Sequence, residues 1–488
     1  MPSSRPSSAA AKFAAFDLDS RLLSALVEQG WTDPSPIQRA AIPALLDGRD
    51  VLGQAGTGTG KTAAFGLPLL HRLLARRRRT SLPQALVLVP TRELATQVAR
   101  ALAQFGGPAA PEAAVLVGGQ SFGAQMQALH RGASIIVATP GRLRDHLSRG
   151  RLNLGEIEML VLDEADEMLD MGFADDLDAI MKNVPVSRQT ALFSATLPRD
   201  AAAMVERWLS NPVRIRVAAE QNTSGGEPLL RQIAHVVLPR HKVAALRRVL
   251  AVAEPTACIV FCRTRDDVDG LREALVDGGS RTGILHGGLL QPERDRVMDR
   301  FRRGDINVLL ATDVAARGLD VDHVSHVINF DVPTNAELYV HRIGRTGRAG
   351  RRGTAITLLG PHDQRRVTQF GQRTQAVVSC VPLPLASELR RAQSQRAAAT
   401  IGEAALQTLA AEEVDHVLQG FSPEQLAQAA LVLAMGPTNE EDALDFPSLP
   451  MSGAPHSSGS GRRQPPRRFA PPRRHRLRAA RPHADGNR

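Results

Sequence analysis

Short runs of aliphatic and β-branched residues alternate with longer Leu- and Ala-rich stretches in the first part of the chain. Three of these runs are ALVLVP at 85–90, SIIVATP at 134–140 and MLVLDEAD at 159–166. An apolar run without polar alternation predicts a strand buried on both faces, as in a parallel sheet covered by helices. Residues 16–217 are therefore predicted to form an α/β domain with a parallel sheet.

The same alternation resumes after a small, polar, Gly-containing segment at 218–228, which we interpret as an interdomain linker. The apolar runs of this second part include ACIVFC at 257–262, INVLLATD at 306–313 and HVINFDV at 326–332. Residues 229–375 are therefore predicted to form a second α/β domain.

The ends of the chain show no such strand pattern. Residues 376–436 have helical spacing, and Ser422 followed by Pro is typical of a helix N-terminus. Gly, Pro, Ser and Arg dominate residues 437–488, which predicts a disordered tail. Residues 1–15 are expected to form a flexible N-terminus.

The positive charge of the chain is concentrated in the tail. The net charge is +10, and residues 461–488 alone contain ten Arg and one acid, Asp485. The rest of the chain is therefore close to neutral, so any groove for nucleic acid there must be a local patch. The tail is expected to neutralise phosphates, and a purely solubilising tail is the alternative.

The sequence predicts neither a membrane-spanning segment nor an oxidising compartment. The chain has no long apolar run and its first residues lack the apolar segment of a secretory signal. Its three cysteines, Cys258, Cys262 and Cys380, suit neither a disulfide framework nor a metal quartet. We therefore predict a cytoplasmic protein.

A Gly-rich segment, AGTGTGKT, follows a short predicted strand at 50–53 and opens a helix. Glycines allow backbone N–H groups to surround phosphates, and a helix N-terminus adds a favourable dipole. Lys61 is expected to reach the β- and γ-phosphates of a nucleotide, and Thr62 to hold Mg²⁺. The predicted phosphate-binding residues are Ala55, Gly56, Thr57, Gly58, Thr59, Gly60, Lys61 and Thr62.

Two acids follow the apolar strand that ends near residue 162. In a protein with a phosphate-binding loop, acids at this position organise the metal ion and the attacking water. Asp163 is expected to bind Mg²⁺, partly through water, and Glu164 to orient and deprotonate the attacking water.

The sequence DEAD at 163–166 and the motifs around it resemble the DEAD-box family of ATP-dependent RNA helicases. The motifs of the first domain are WTDPSPIQ at 31–38, PTRELA at 90–95, Gly118-Gly119, TPGR at 139–142 and SAT at 194–196. Those of the second are VFCRT at 260–264, Gln291 with Arg294, ATDVAARGLD at 311–320 and HRIGRTGR at 341–348. The resemblance covers about residues 16–360.

The resemblance implies roles for individual residues. Gln38 would hydrogen-bond to the edge of the adenine base. The nucleotide site would be completed by Phe16, Trp31, Gly318 and Asp320. Arg345 and Arg348 would act as arginine fingers, which suits phosphoryl transfer because negative charge develops on the γ-phosphate. Hydrolysis would be coupled to strand separation by Asp166, Ser194, Thr196 and His341. RNA contacts would come from Pro90, Thr91, Arg92, Gly119, Thr139, Arg142, Arg263, Thr264, Arg294, Thr312 and Asp313.

The fold implied is two tandem RecA-like domains that clamp ATP, Mg²⁺ and RNA, followed by a small helical extension and a disordered basic tail. The implied activity is RNA-stimulated ATP hydrolysis with local unwinding of short RNA duplexes. Residues 376–436 resemble the dimerisation region of cold-shock-type bacterial members, which suggests a homodimer. A DNA helicase of the same superfamily and an RNA-clamping scaffold with weak turnover are the alternatives.

Overall fold

The structure is a computed structural model. It describes residues 10–56, 58–76, 80, 82–196, 205–217, 223–224, 227–275, 281–316, 321, 323–347, 351–374, 376–405 and 421–435. The predicted site residues Thr57, Gly318, Asp320 and Arg348 lie outside these ranges, as does the predicted tail at 437–488.

The described part of the first domain contains a seven-stranded parallel sheet. Its strands are β1 (Val51–Gln54), β2 (Ala85–Leu88), β3 (Ala113–Leu116), β4 (Ile135–Ala138), β5 (Met159–Asp163), β6 (Gln189–Ser194) and β7 (Val213–Arg216). They lie in the order β3-β4-β2-β5-β6-β1-β7. Along β5, Val161 packs into one core and Leu160 and Leu162 into the core on the other face. This burial on both faces is what the unbroken apolar runs predict.

Helices cover both faces of this sheet. They are α1 (Ala10–Ala14), α2 (Ser20–Glu28), α3 (Pro36–Leu46), α4 (Lys61–Leu74), α5 (Arg92–Gly106), α6 (Phe122–His130), α7 (Pro140–Ser148), α8 (Ala165–Asp170) and α9 (Ala174–Met181). The predicted flexible N-terminus is wrong for residues 10–14, which form α1. Phe13 of α1 is buried and packs against Phe16 and Trp31. A five-residue helix is too short to show a periodic pattern.

The segment predicted as a linker contains a small antiparallel pair, β8 (Thr223–Ser224) and β9 (Glu227–Pro228). The second domain then forms a sheet from β10 (Leu230–Val236), β11 (Cys258–Cys262), β12 (Thr282–Leu285), β13 (Val308–Thr312), β14 (His326–Asn329), β15 (Gly353–Leu359) and β16 (Ser379–Cys380). The order β12-β13-β11-β14-β15-β10-β16 repeats that of the first sheet strand for strand. The two predicted parallel-sheet α/β domains are thus confirmed.

The second sheet extends past the predicted domain boundary at residue 375. β16 pairs with β10 through Ile233 opposite Ser379 and Ala234 opposite Cys380. The prediction that strands stop at 375 was therefore wrong, because a two-residue strand has no readable pattern. Cys258 and Cys262 lie buried within β11 and are free thiols.

The helices of the second domain are α10 (Lys242–Ala253), α11 (Arg265–Leu275), α12 (Gln291–Arg302), α13 (Asp313–Ala316), α14 (Ala336–Ile343) and α15 (Gln364–Thr374). The C-terminal extension contributes α16 (Ala386–Ala405) and α17 (Pro423–Met435). Arg248 of α10 donates to the carbonyl of Pro384 at 3.1 Å, which anchors the extension to the second domain. Ser422 caps α17 as predicted, accepting from the N–H of Gln425 at 3.2 Å. No helix of the described residues is long and apolar enough to cross a bilayer.

Candidate active site

The phosphate-binding loop and the DEAD sequence lie at the same edge of the first sheet. The loop follows β1 and the acids end β5, while β6 runs between these two strands. Parallel strands bring their carboxyl ends to one edge, so the order β5-β6-β1 gathers residues that are far apart in sequence. The backbone N–H of Ala55 donates to the carbonyl of Ser194 at 3.1 Å, joining the loop to the end of β6.

The described part of the phosphate-binding loop has the backbone that its glycines permit. Gly58 and Gly60 have φ of 78° and 90°, a region that favours glycine. Thr59 donates to the carbonyl of Gly56 at 2.8 Å, and Lys61 begins α4. The Lys61 Nζ atom is buried and has no hydrogen-bond partner in the described part of the protein. A buried ammonium without a partner indicates a site built for an anion.

Gln38 lies directly beside this loop. Its amide donates to the carbonyl of Gly60 at 3.1 Å and accepts from the N–H of Ser35 at 2.8 Å. Gln38 therefore caps α3 and contacts the loop at the same time. Each end of the amide makes one of these bonds, so a second N–H and a second lone pair of the oxygen remain for a ligand.

Two aromatic residues predicted at the nucleotide site pack in one cluster. Phe16 and Trp31 both contact Phe13 edge-on, with ring centroids 6.1 and 6.2 Å from that of Phe13. Trp31 also contacts Phe105 at 5.4 Å. Trp31 therefore anchors the segment before α3 in the core.

Asp163 and Glu164 are both buried at the end of β5. Glu164 has φ 52° and ψ 50°, a left-handed conformation that is uncommon outside glycine and asparagine. Its Oε2 atom is buried without a hydrogen-bond partner in the described residues. Burial, reinforced by the charge of Glu167, raises the pKa of Glu164 to about 7, and burial raises the pKa of Asp163 as well. Strained backbone and perturbed carboxyl groups together are typical of a catalytic position.

The last acid of the DEAD sequence contacts the end of β6. Asp166 accepts from the backbone N–H of Thr196 at 2.8 Å and from its hydroxyl at 2.9 Å. Ser194 in turn donates to the carbonyl of Thr196. Three of the four predicted coupling residues therefore form one hydrogen-bonded group.

The fourth coupling residue reaches this group from the second domain. His341 of α14 hydrogen-bonds to Glu167 at 2.8 Å, and its other ring nitrogen lies 3.7 Å from Asp166. Burial alone would lower the pKa of His341, but its bond to Glu167 and the charges of Glu167, Asp166 and Glu164 outweigh burial and raise it. Arg345 Nη2 lies 3.9 Å from Glu167. The sequence reasoning missed Glu167, whose position one residue after the motif gave no sign of an interdomain role.

A second set of interdomain contacts involves predicted RNA-binding arginines. Arg294 of α12 forms an ion pair with Glu93 at 2.8 Å, and Arg92 donates to Gln291 at 3.0 Å. Burial lowers the pKa of Arg92, and the positive charges of Arg294 and Arg142 act in the same direction. Arginines from both domains are thus gathered at one surface.

Arg142 and Gly119 shape the loop next to these arginines. Arg142 donates to the carbonyls of Val117 and Gln120 at 2.9 and 2.6 Å and so fixes the loop between them. Gly119 has φ 73°, and a Cβ atom there would overlap the Arg92 guanidinium. The glycine therefore permits the close approach of Arg92 to the loop.

Several other predicted RNA-binding residues have structural partners. Thr91 and Thr139 are the N-caps of α5 and α7, and Pro90 and Thr312 are buried at strand ends. Arg263 and Thr264 are exposed after β11; the N–H of Arg263 and the hydroxyl of Thr264 donate to Asp331 and Asp267. Asp313 accepts two hydrogen bonds from Arg342, at 2.6 and 2.8 Å.

Arg342 is a further residue that sequence reasoning did not single out. It is buried and also donates to Asn329 and to the carbonyl of Asp331. Its guanidinium lies 5.0 Å from the ring centroid of Phe261. Arg342 therefore ties α14, which carries His341, to the strand ends of its own domain.

Comparisons with known proteins decide the family. Residues 35–204 match the model for DEAD/DEAH box helicases, and residues 241–350 match that for the helicase conserved C-terminal domain. The chain is similar to the DEAD-box ATP-dependent RNA helicase CshA of Bacillus subtilis, with 43% identity over 78% of this chain and 76% of the relative. The chain belongs to the DEAD-box family of ATP-dependent RNA helicases. The similarity to the ATP-dependent RNA helicase DeaD of Buchnera aphidicola is 41% identity over 87% of this chain and 70% of that one.

Solved structures of DEAD-box proteins share the two-domain fold. Saccharomyces cerevisiae Dbp5 bound to RNA and ADP BeF3 matches with a TM-score of 0.68 and 30% identity, covering 78% of this chain and 99% of that one. The DEAD-box helicase Mss116 bound to ssRNA and UDP-BeF matches with a TM-score of 0.68 and 26% identity, covering 79% and 83%. Both neighbours were solved with a nucleotide and RNA bound.

Proposed function

We propose that this DEAD-box helicase hydrolyses ATP at the interdomain cleft and uses cleft closure to bend one RNA strand and separate a short duplex. The observation that carries the proposal is a pair of buried groups at one sheet edge, Lys61 Nζ and Glu164 Oε2, which have no hydrogen-bond partner among the residues that the structure describes. The second domain places His341 and Arg345 against the adjoining α8. Closure therefore completes a site that contains both a carboxylate base and a guanidinium from the second domain.

The residues of the cleft can be given distinct chemical tasks. Glu164 accepts the proton of the attacking water. Lys61 and Arg345 stabilise the negative charge that develops on the transferred phosphoryl group. Arg348 is proposed to act beside Arg345, and Gly318 and Asp320 to contact the nucleotide, on the strength of their motifs alone.

Oxygen donors at the end of β5 and at the start of α4 fit Mg²⁺. Magnesium prefers hard oxygen ligands and is usually held by one or two protein groups together with water and substrate phosphates. Asp163 supplies a buried carboxylate and Thr62 a hydroxyl, and the described residues contain no larger group of potential metal ligands. When bound, the ion would neutralise phosphate charge.

RNA is proposed to lie across the surface formed by Arg92, Arg142 and Arg294. Arginine binds phosphate with paired N–H groups, which gives affinity without reading the base sequence. The groups that contact this surface come from both domains, so RNA binding and closure support each other. A homodimer through residues 376–436 and a cytoplasmic location remain predictions.

The proposed activity is tested by comparing ATP hydrolysis stimulated by RNA with that stimulated by DNA of the same sequence, together with unwinding of a short RNA duplex. Strong stimulation by RNA alone, with ATP-dependent unwinding, is expected. Equal stimulation by DNA would favour a DNA helicase, and RNA binding without turnover would favour a clamping scaffold.

Replacing Gln38 with Ala is expected to raise the KM for ATP and to narrow the preference for ATP over GTP and UTP. The amide of Gln38 offers a donor and an acceptor to adenine, and a wrong base would leave them unpaired. Steady-state kinetics with the four triphosphates measure the effect. Equal use of all four by the unaltered protein would contradict the role of Gln38.

Closure is expected to weaken as pH rises through the raised pKa of His341. The protonated imidazole faces Glu167, Asp166 and Glu164, so the contact favours the charged form. The contact between the charged imidazole and these carboxylates is complete below pH 6.5, the ordinary pKa of histidine. It is lost above the raised pKa of His341. RNA affinity in the presence of a non-hydrolysable ATP analogue should therefore fall several-fold across this range.

His341→Gln supplies the control for this pH dependence. Arg345 also lies near Glu167, and it and Glu164, whose pKa is raised to about 7, both remain in the variant. The variant should bind more weakly at low pH and show a flatter profile. If RNA affinity changes with pH as steeply in the variant as in the unaltered protein, the pH dependence belongs to a group other than His341.

A further inference from the structure

Three guanidinium groups surround the ring of Phe122 at the start of α6. The guanidinium carbons of Arg149, Arg142 and Arg151 lie 4.9, 5.4 and 5.6 Å from the ring centroid. We call these four residues the Phe122 cluster. Arg142 follows the start of α7, whereas Arg149 and Arg151 follow its end, so the cluster joins separate segments of the first domain.

The nearby carboxylate of Asp145 does not balance the three guanidiniums of the cluster. Among the described residues, no carboxylate forms an ion pair with Arg142, Arg149 or Arg151. The ring of His146 stacks on Phe122 with centroids 3.9 Å apart. Burial, followed by the charge of Arg142, lowers the pKa of His146 to about 4, so this residue is neutral at pH 7.

The position of the charges indicates what they bind. Arg149 and Arg151 are exposed, so their guanidiniums are accessible from solvent. Three like charges around one aromatic ring repel one another, and the ring compensates only in part. An anionic ligand would relieve this repulsion. Phosphate suits arginine because the planar guanidinium donates paired hydrogen bonds to it.

The cluster continues the surface on which we place RNA. Arg142 belongs both to that surface and to the cluster, and its bonds to Val117 and Gln120 hold the loop that contains Gly119. Thr139 is the residue just before α7 and Arg149 is the residue just after it. The guanidiniums of Arg149 and Arg151 surround the same ring as that of Arg142, so they directly adjoin this predicted contact.

We propose that Arg149 and Arg151 of the Phe122 cluster bind backbone phosphates of the RNA beyond the segment held between the two domains. The inference rests on the proposed function, because it extends the RNA path of that same site. The cluster would lengthen the footprint of the protein on RNA without adding base specificity. It would act during binding of longer RNA and leave the chemistry of ATP hydrolysis unchanged.

The test is RNA binding by the full chain carrying Arg149→Gln and Arg151→Gln, measured on unstructured RNAs of graded length. On long RNA the affinity should fall several-fold, while on the shortest RNA that still stimulates the ATPase it should be unchanged. Each lost phosphate contact reduces the slope of log affinity against log salt by about 0.7 for single strands. Loss of both should therefore flatten the slope by about 1.4 on long RNA only.

The matched control replaces two other exposed arginines, Arg100 of α5 and Arg272 of α11, with Gln. The same charge is removed, but affinity and salt slope should stay close to those of the unaltered protein. If the two double variants weaken RNA binding equally, the effect of the cluster is only that of its net charge, and the inference is overturned. So would unchanged binding of long RNA by the Arg149→Gln, Arg151→Gln protein. Failure of the proposed function would be distinct, since RNA would then not stimulate ATP hydrolysis by the unaltered protein.

Discussion

Replacing Glu164 with Gln is expected to reduce RNA-stimulated ATP hydrolysis by at least about a hundredfold, the lower end of the usual contribution of a general base. The amide has nearly the same shape as the carboxylate, so the buried position at the start of α8 should tolerate it. It cannot accept the proton of the attacking water. ATP and RNA binding should therefore persist, and the closed complex with both ligands should accumulate.

Single-turnover hydrolysis and RNA retention in the presence of ATP measure the two halves of this prediction. Glu156→Gln is a suitable control, because Glu156 is exposed in the segment before β5. The substitution makes the same chemical change outside the cleft. That variant should turn over like the unaltered protein. Turnover by Glu164→Gln within a few-fold of the unaltered protein would remove Glu164 from the role of base.

The sequence predicted those parts of the site in which one short segment shows both the secondary structure and the residues that carry the chemistry. The unbroken apolar run before Asp163 predicts a buried strand, and an acid at its end must lie at the carboxyl edge of the sheet. The glycines before Lys61 likewise predict a loop that opens a helix. In both cases periodicity and residue type point to the same position.

The parts that sequence did not predict depend on contacts between distant segments. Nothing local to Glu93 shows that it pairs with Arg294 of the other domain. The role of Glu167 likewise depends on where α14 places His341. Phe122 resembles any other helix-start aromatic in sequence, and only the fold brings Arg149 and Arg151 to its ring. Such contacts follow from tertiary packing, which a single sequence does not display.

Arg342 offers the strongest test of a contact found only in the structure. Arg342→Gln is expected to destabilise the second domain by about 3 kcal/mol, the low end for breaking a buried pair. The low end applies because the Asp313 side chain is 23% exposed and can regain some water. Asn329 and the carbonyl of Asp331 would also lose their donor. For a domain of this size the midpoint of thermal unfolding should fall by roughly 10 °C.

A double-mutant cycle separates the ion pair from these other contacts. Asp313→Asn alone leaves a buried guanidinium without its anion, so it should also destabilise the protein. The double variant Asp313→Asn, Arg342→Gln removes both charges and should cost clearly less than the two single changes added together. Thermal unfolding of the full chain, followed for the transition of the second domain, measures all three. Strict additivity would mean that the Arg342–Asp313 bonds contribute no coupling. The instability of Arg342→Gln would then be due to packing against Phe261 and the strand ends alone.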